Sequence, residues 1–230
     1  MDPRSAPFAL GEARRGLFAS GPVDGPPARY APRKMNDSGE FRPAGSDRVI
    51  GWAAHRGLGF ALAPDERWFR DWEPFDTMVA PEHWLAGVTE RSPWGTFVVA
   101  EAWTATLGVE PIERTIVGFA QVPTRGRRAA MRVGEPFLTR VAFLTSPPPP
   151  KVELGDPAWD AHVTTFAASP ADAAAAFPTA LRELLRRKGF RGHLEVRPGG
   201  FVVHHEGFLP TPEHYDATFR MMHRFSQAIR

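Results

Sequence analysis

The chain has 230 residues, of which 43% are hydrophobic, with 28 Lys plus Arg against 26 Asp plus Glu. That length and composition suit a globular chain of one large or two small domains with a sizeable core. The formal net charge of only +2 argues against a dedicated nucleic-acid binder, and the lack of cysteine excludes disulfides, thiolate metal sites and a cysteine nucleophile.

No apolar run nears the roughly 20 residues that span a bilayer. Glu12, Arg14 and Arg15 interrupt the apolar stretch at the N-terminus, so no signal peptide is expected and the expected location is cytoplasmic.

Residues 1–46 carry Pro3, Pro7, Pro22, Pro26, Pro27, Pro32 and Pro43 with glycines between them, and no period persists. An extended or disordered arm is expected there. Within it, "PFALGEARRGLF" gathers Phe8, Leu10, Leu17 and Phe18 into an apolar edge that suits docking on the body or on a partner.

Ser46 reads as an N-cap, followed by "DRVIGWAAHR" as a short helix with Val49, Ile50, Trp52 and Ala53 inward and Gly57 as its stop. "LGFALA" (58–63) reads as a strand. "DERWFRDWEPF" then sets Trp68, Phe69, Trp72 and Phe75 at helix-like spacing, and Pro74 stops any helix. These aromatics, with Trp84, either plug a sheet or anchor a protein partner.

A β-rich region is expected over residues 47–146. "HWLAGVTER" (83–91) and "WGTFVVAEAWTATL" (94–107) read as strands joined at Ser92-Pro93. "RTIVGFAQV" (114–122) is a third strand, in which Gly118 signals a bulge or a close backbone approach. "AAMRV" and "RVAFLT" read as two more. The run Pro147 to Pro150 is a stiff extended linker and marks the best internal boundary.

Residues 151–230 read as a βαββα unit, standing alone or forming one domain with 47–146. "AHVTTFAA" (161–168) is its first strand. Ser169 caps a helix that Pro178 interrupts and "TALRELLRRKG" resumes, with Leu181, Leu184 and Leu185 inward and Gly189 as the stop. A hairpin follows, and Thr211-Pro212-Glu213 starts a last helix. There Tyr215, Phe219, Met222, Phe225 and Ile229 form a stripe that must lie against a sheet face. The fold class expected is therefore α+β, with an antiparallel sheet core, this C-terminal unit and the N-terminal arm.

The hairpin "HLEVRPGGFVVHHEGF" (193–208) carries the most chemistry. Alternation puts Leu194, Val196, Phe201, Val203 and His205 on one face and His193, Glu195, Arg197, Val202, His204 and Glu206 on the other. One register sets His193 opposite His204; another sets Glu195 opposite His204. Two imidazoles and two carboxylates are ligand types for zinc, iron or manganese, so a metal-binding protein or metal-dependent hydrolase is one reading. The ordinary outcome of such alternation is a hairpin with one solvated face. His205 belongs at the edge of the apolar face.

Other chemistry finds less support. There is no H-E-x-x-H, no G-x-S-x-G, no S-x-x-K and no phosphate-binding glycine loop, so no cofactor is expected. Arg125, Arg127, Arg128 and Arg132 fall in an expected loop, where they would contact nucleic-acid phosphates or simply be solvated.

The succession "RGLGFAL", "GTFVVAEAW" with "RTIVGFAQV", then "GDPAWDAHVTTFAASPADAAAAFPTALRELL" and "LEVRPGGFVVHHEG" before a closing helix resembles a widespread group of uncharacterised bacterial proteins known as a domain of unknown function. The likeness runs over roughly residues 47–230 and is clearest over 155–230. It implies no catalytic residues. Proteins of that group often carry membrane helices, and this chain shows none. The leading functional expectation is a non-enzymatic protein-binding or assembly module, with a protein partner or a second copy of the chain.

Overall fold

The structure, a computed structural model, describes residues 34–35, 41–42, 45–65, 69, 72, 83–104, 113–124, 127–134 and 149–229. The expected apolar edge at Phe8, Leu10, Leu17 and Phe18 lies outside these residues, as do Trp68, Phe75, Arg125 and the strand expected at "RVAFLT". Within the segment read as an extended arm, β1 (Lys34–Met35) and β2 (Phe41–Arg42) pair antiparallel.

The molecule is a mixed α/β protein built on one large antiparallel sheet. Its strands are β3 (Gly59–Ala61), β4 (His83–Ser92), β5 (Gly95–Thr104), β6 (Glu113–Gln121), β7 (Ala129–Val133), β8 (Lys151–Val152), β9 (Thr164–Ala167), β10 (Gly192–Arg197) and β11 (Gly200–His205). Their order across the sheet is β3-β4-β5-β6-β11-β10-β7-β9-β8. β7, from the middle of the chain, thus lies between β9 and the β10–β11 hairpin. The C-terminal strands do not form a sheet by themselves: strands from both sides of the proline run share one set of ladders.

Five helices are described: α1 (Ser46–His55), α2 (Pro157–Asp160), α3 (Pro170–Ala176), α4 (Thr179–Arg187) and α5 (Pro212–Ala228). Buried residues from all five join one hydrophobic cluster with Phe97, Val99, Ile116, Met131, Leu194 and Phe201 of the sheet. All therefore cover the same face. The stripe of α5 is the one its spacing predicts, with Tyr215, Phe219, Met222 and Phe225 buried.

The helix ends follow local chemistry. Ser169 accepts from the Asp172 N–H at 3.1 Å, and Thr211 accepts from the His214 N–H at 3.4 Å. α3 ends before Pro178 and α4 begins after it. At α1 the expectation is corrected. Ser46 is the first helical residue, buried, and Gly45 in the left-handed region (φ +91°) occupies the cap position without a side-chain bond. Position is set by tertiary burial of Ser46, which a local capping pattern cannot show.

Gly118 lies in an uninterrupted register with β5 and β11, so it marks a close approach and not a bulge. A Cβ there would fall 2.7 Å from the Met222 sulfur, so α5 packs directly on the bare backbone of β6. The bulge lies instead in β4, between Leu85 and Val88. There Ala86 takes φ +48°, and its carbonyl accepts a 2.9 Å bond from the Tyr215 hydroxyl. The helix that covers the sheet thereby holds the strained residue in place. Among the described residues, no helix is long and apolar enough to cross a membrane.

Candidate functional site: a buried ion network on the far face of the sheet

The face of the sheet away from the helices divides in two. Over β4, β5 and β6 it is apolar: Trp84, Val98, Ala100, Val117 and Phe119 form a second cluster with Phe69 and Val202. Phe69 lies 5.2 Å from Trp84 and 5.0 Å from Phe119 between ring centroids. Of the two readings of the aromatic set, sheet plug or partner anchor, Phe69 takes the first: it is a core residue and not a partner contact, because the apolar face of β5 and β6 needs a cover. Trp72 is half-buried. Its ring edge meets Gly200, where a Cβ would fall 2.6 Å from a ring carbon, and the Arg197 guanidinium sits 5.7 Å from its centroid.

Over β11, β10 and β7 the same face is polar, and it is buried. The turn Pro198-Gly199, with Gly199 at φ +83°, closes the hairpin with Arg197 opposite Gly200. Of the two registers open to the sequence, the one that sets His193 opposite His204 is adopted, with Glu195 opposite Val202. Glu195 is 0% exposed, His193 2% and His204 7%. The expectation of a solvated back to this hairpin is thus corrected. What closes this face is side chains: Arg128 and Arg197 lie over Glu195, and Thr115 meets His204.

Glu195 is the centre of this region. Its Oε1 accepts from Arg128 Nε at 2.6 Å and from Arg197 Nε at 2.7 Å, while Oε2 lies 3.5 Å from His193 Nε2. Burial by itself would raise the pKa of this carboxyl. The His193 hydrogen bond and the charges of Arg197, His193 and Arg128 outweigh it and bring the value down to about 2. Beside it, His204 Nε2 meets the Thr115 hydroxyl at 3.0 Å. Burial, with repulsion from the imidazoles of His193 and His205, depresses His204 to about 3. Glu195 is thus held as an anion and His204 as a neutral ring.

Three groups of residues that the sequence presented separately meet or part here. His193, Glu195 and His204, expected as metal ligands with Glu206, stand together. Glu206 does not join them: it lies in the turn after β11, exposed, and pairs with Arg191 at 2.8 Å. Among the described residues no group of three His, Asp or Glu has an arrangement that would hold a metal ion. A metal would compete with two guanidiniums for the same carboxylate.

Arg128 and Arg132, expected in a solvated loop, stand on or beside β7 and face this network. Arg132 lies 5.8 Å from the Phe166 ring. Arg127 alone of the described set points to solvent, 3.8 Å from Asp172. The three described arginines therefore do not make one exposed patch. Arg197 and Thr115 were not singled out from the sequence. Alternation placed Arg197 on the polar face, and a pairing rule of buried carboxylate with guanidinium would have found it. Thr115 had no such signal, since it arrives from β6, almost ninety positions away.

No family model matches the sequence, and no curated protein is similar to it. Among solved structures, the chain is similar to the crystal structure of the mycobacterial trehalose monomycolate transport factor A, TtfA. The TM-score is 0.56 over 82% of this chain and 96% of that one, at 12% sequence identity. At that identity the likeness is one of fold.

Proposed function

We propose that the protein is a non-enzymatic binding or assembly factor that acts through protein contacts. The observation that carries this reading is the state of the buried network. A general acid or base works best with a pKa near the operating pH. Glu195 and His204 are both driven far below neutrality, to about 2 and about 3, so neither exchanges a proton under ordinary conditions. The network behaves as a strut that fixes the hairpin, β7 and Trp72 relative to one another. That the solved neighbour is itself called a transport factor supports the same class of role. Membership of the uncharacterised bacterial group resembled over residues 155–230 is part of this proposal.

The contact surface we assign includes Trp72 and, outside the described residues, Trp68, Phe75 and the edge of Phe8, Leu17 and Phe18. The test compares the full chain with one lacking residues 1–46, by light scattering and by pull-down from native lysate. The full chain should recover a partner or a second copy that the shortened chain loses. A full-length protein that is solitary under all conditions overturns the proposal.

A further inference from the structure

The helix-covered side holds a slot with a charge imbalance. It lies between α4 and α5, has a volume of about 220 Å³, and is floored by Phe190, Phe208, Met221 and Phe225. Its rim carries Lys188, Arg220 and Arg224, and no carboxylate lines it. Arg220 is bonded to Asp216, which also binds Arg56 at 2.9 Å. Lys188 and Arg224 are exposed, and neither has an ion-pair partner among the described residues. Two uncompensated cations thus stand over an apolar slot that is open to solvent. Leu209, one residue beyond Phe208, is 53% exposed and extends the apolar surface outward.

We propose that this slot binds a single-chain anionic amphiphile, its carboxylate or phosphate head on Lys188 and Arg224 and its chain on Phe190 and Met221. Charge complementarity selects the head: a cationic or neutral head leaves both cations uncompensated. Size selects the chain. The slot exceeds the roughly 150 Å³ that accommodates a benzene ring but lies below the ~300 Å³ at which drug-sized sites begin. It holds part of one chain and not two. The head group has two sources, a free fatty acid or alkyl phosphate and a lipid in an anionic bilayer.

Isothermal titration of the full chain with sodium laurate below its micellar concentration tests the site. One saturable equivalent is expected, at least tenfold tighter than dodecyltrimethylammonium. Lys188→Glu with Arg224→Glu should weaken laurate by tenfold or more, and Ala217→Trp, which fills the slot without changing charge, should do likewise. Circular dichroism and thermal unfolding of the unliganded variants separate loss of the site from loss of fold. Sedimentation with phosphatidylglycerol vesicles that laurate reverses identifies a bilayer lipid as the source. Laurate binding without sedimentation identifies a free amphiphile. The proposal is overturned if laurate does not saturate, if both variants bind it as the parent does, or if an acidic amphipathic peptide binds while laurate does not.

Discussion

On one side of the β10–β11 hairpin, Leu194, Val196, Phe201 and Val203 meet the rings and thioethers of α5. On the other, one residue out of phase, His193, Glu195 and His204 are buried to the same degree. The first face gains free energy simply by leaving water. The second loses it unless every buried group finds a partner, and Glu195 finds Arg128, Arg197 and His193. The contrast shows why the two faces do different work. An apolar face tolerates repacking, whereas a slip of one residue would bring Glu195 among the rings of α5 and set Leu194 between guanidiniums. The polar face pins the register, and the apolar face stabilises it.

Five measurements would break or sharpen that contrast. Phe201→Ala on the apolar face should have the largest effect, about 4 kcal/mol in urea unfolding, from lost transfer energy and the cavity left behind. Glu195→Gln on the polar face should cost on the order of 3 kcal/mol at neutral pH, because two guanidiniums are left without their anion. Replacing Glu195, Arg128 and Arg197 together by Met should recover most of that loss. A triple variant no more stable than Glu195→Gln would show that the charges contribute net stability and do more than set register.

The pH dependence comes next. His204 is depressed from 6.5 to about 3, so the unfolded chain binds the proton first as pH falls. Its contribution to stability is complete above about 6.5 and is lost as pH drops towards 3. Between pH 7 and 5 the loss should be about 2 kcal/mol, and His204→Gln should flatten that part of the curve. Glu195 adds a second, more acid window, between 4.5 and about 2, that Glu195→Gln removes. The smallest effect expected is Gly118→Ala, about 1.5 kcal/mol: its Cβ would meet the flexible end of Met222 at 2.7 Å, but also Thr218 Cγ2 at 2.9 Å and Val203 Cγ1 at 3.0 Å, so α5 must give slightly. A loss as large as that of Phe201→Ala would mean that α5 cannot shift on the sheet at all.

Much of the helix-covered side was legible. The stripe of α5, the Ser169 and Thr211 caps, the break at Pro178 and the stop at Gly189 all follow from side chains within a few positions of one another. So did the division of the hairpin into two faces, and the close approach at Gly118 as one of two alternatives. The candidate site was legible only in pieces. Alternation groups His193, Glu195 and His204 on one face, but local pattern puts Arg128 and Arg132 in a loop and leaves Phe69 open between a sheet plug and a partner anchor. Strict alternation carries Glu206 onto the same face, but the strand ends at His205 and the chain turns away there.

The sequence by itself determined the period of the elements, most helix ends and which side chains share a face, because those depend on backbone geometry and on neighbours along the chain; the start of α1 and the end of β11 did not follow from it. It did not determine the order of strands. That β7 enters between β9 and β10, and that β6 flanks β11, was decided by packing across the whole sheet. Those two neighbours pair both edges of the hairpin and bring Arg128 and Thr115 beside its polar face, where their side chains cover Glu195 and His204. Only then does a histidine and glutamate alternation that suits a solvated surface become an ion network held away from water.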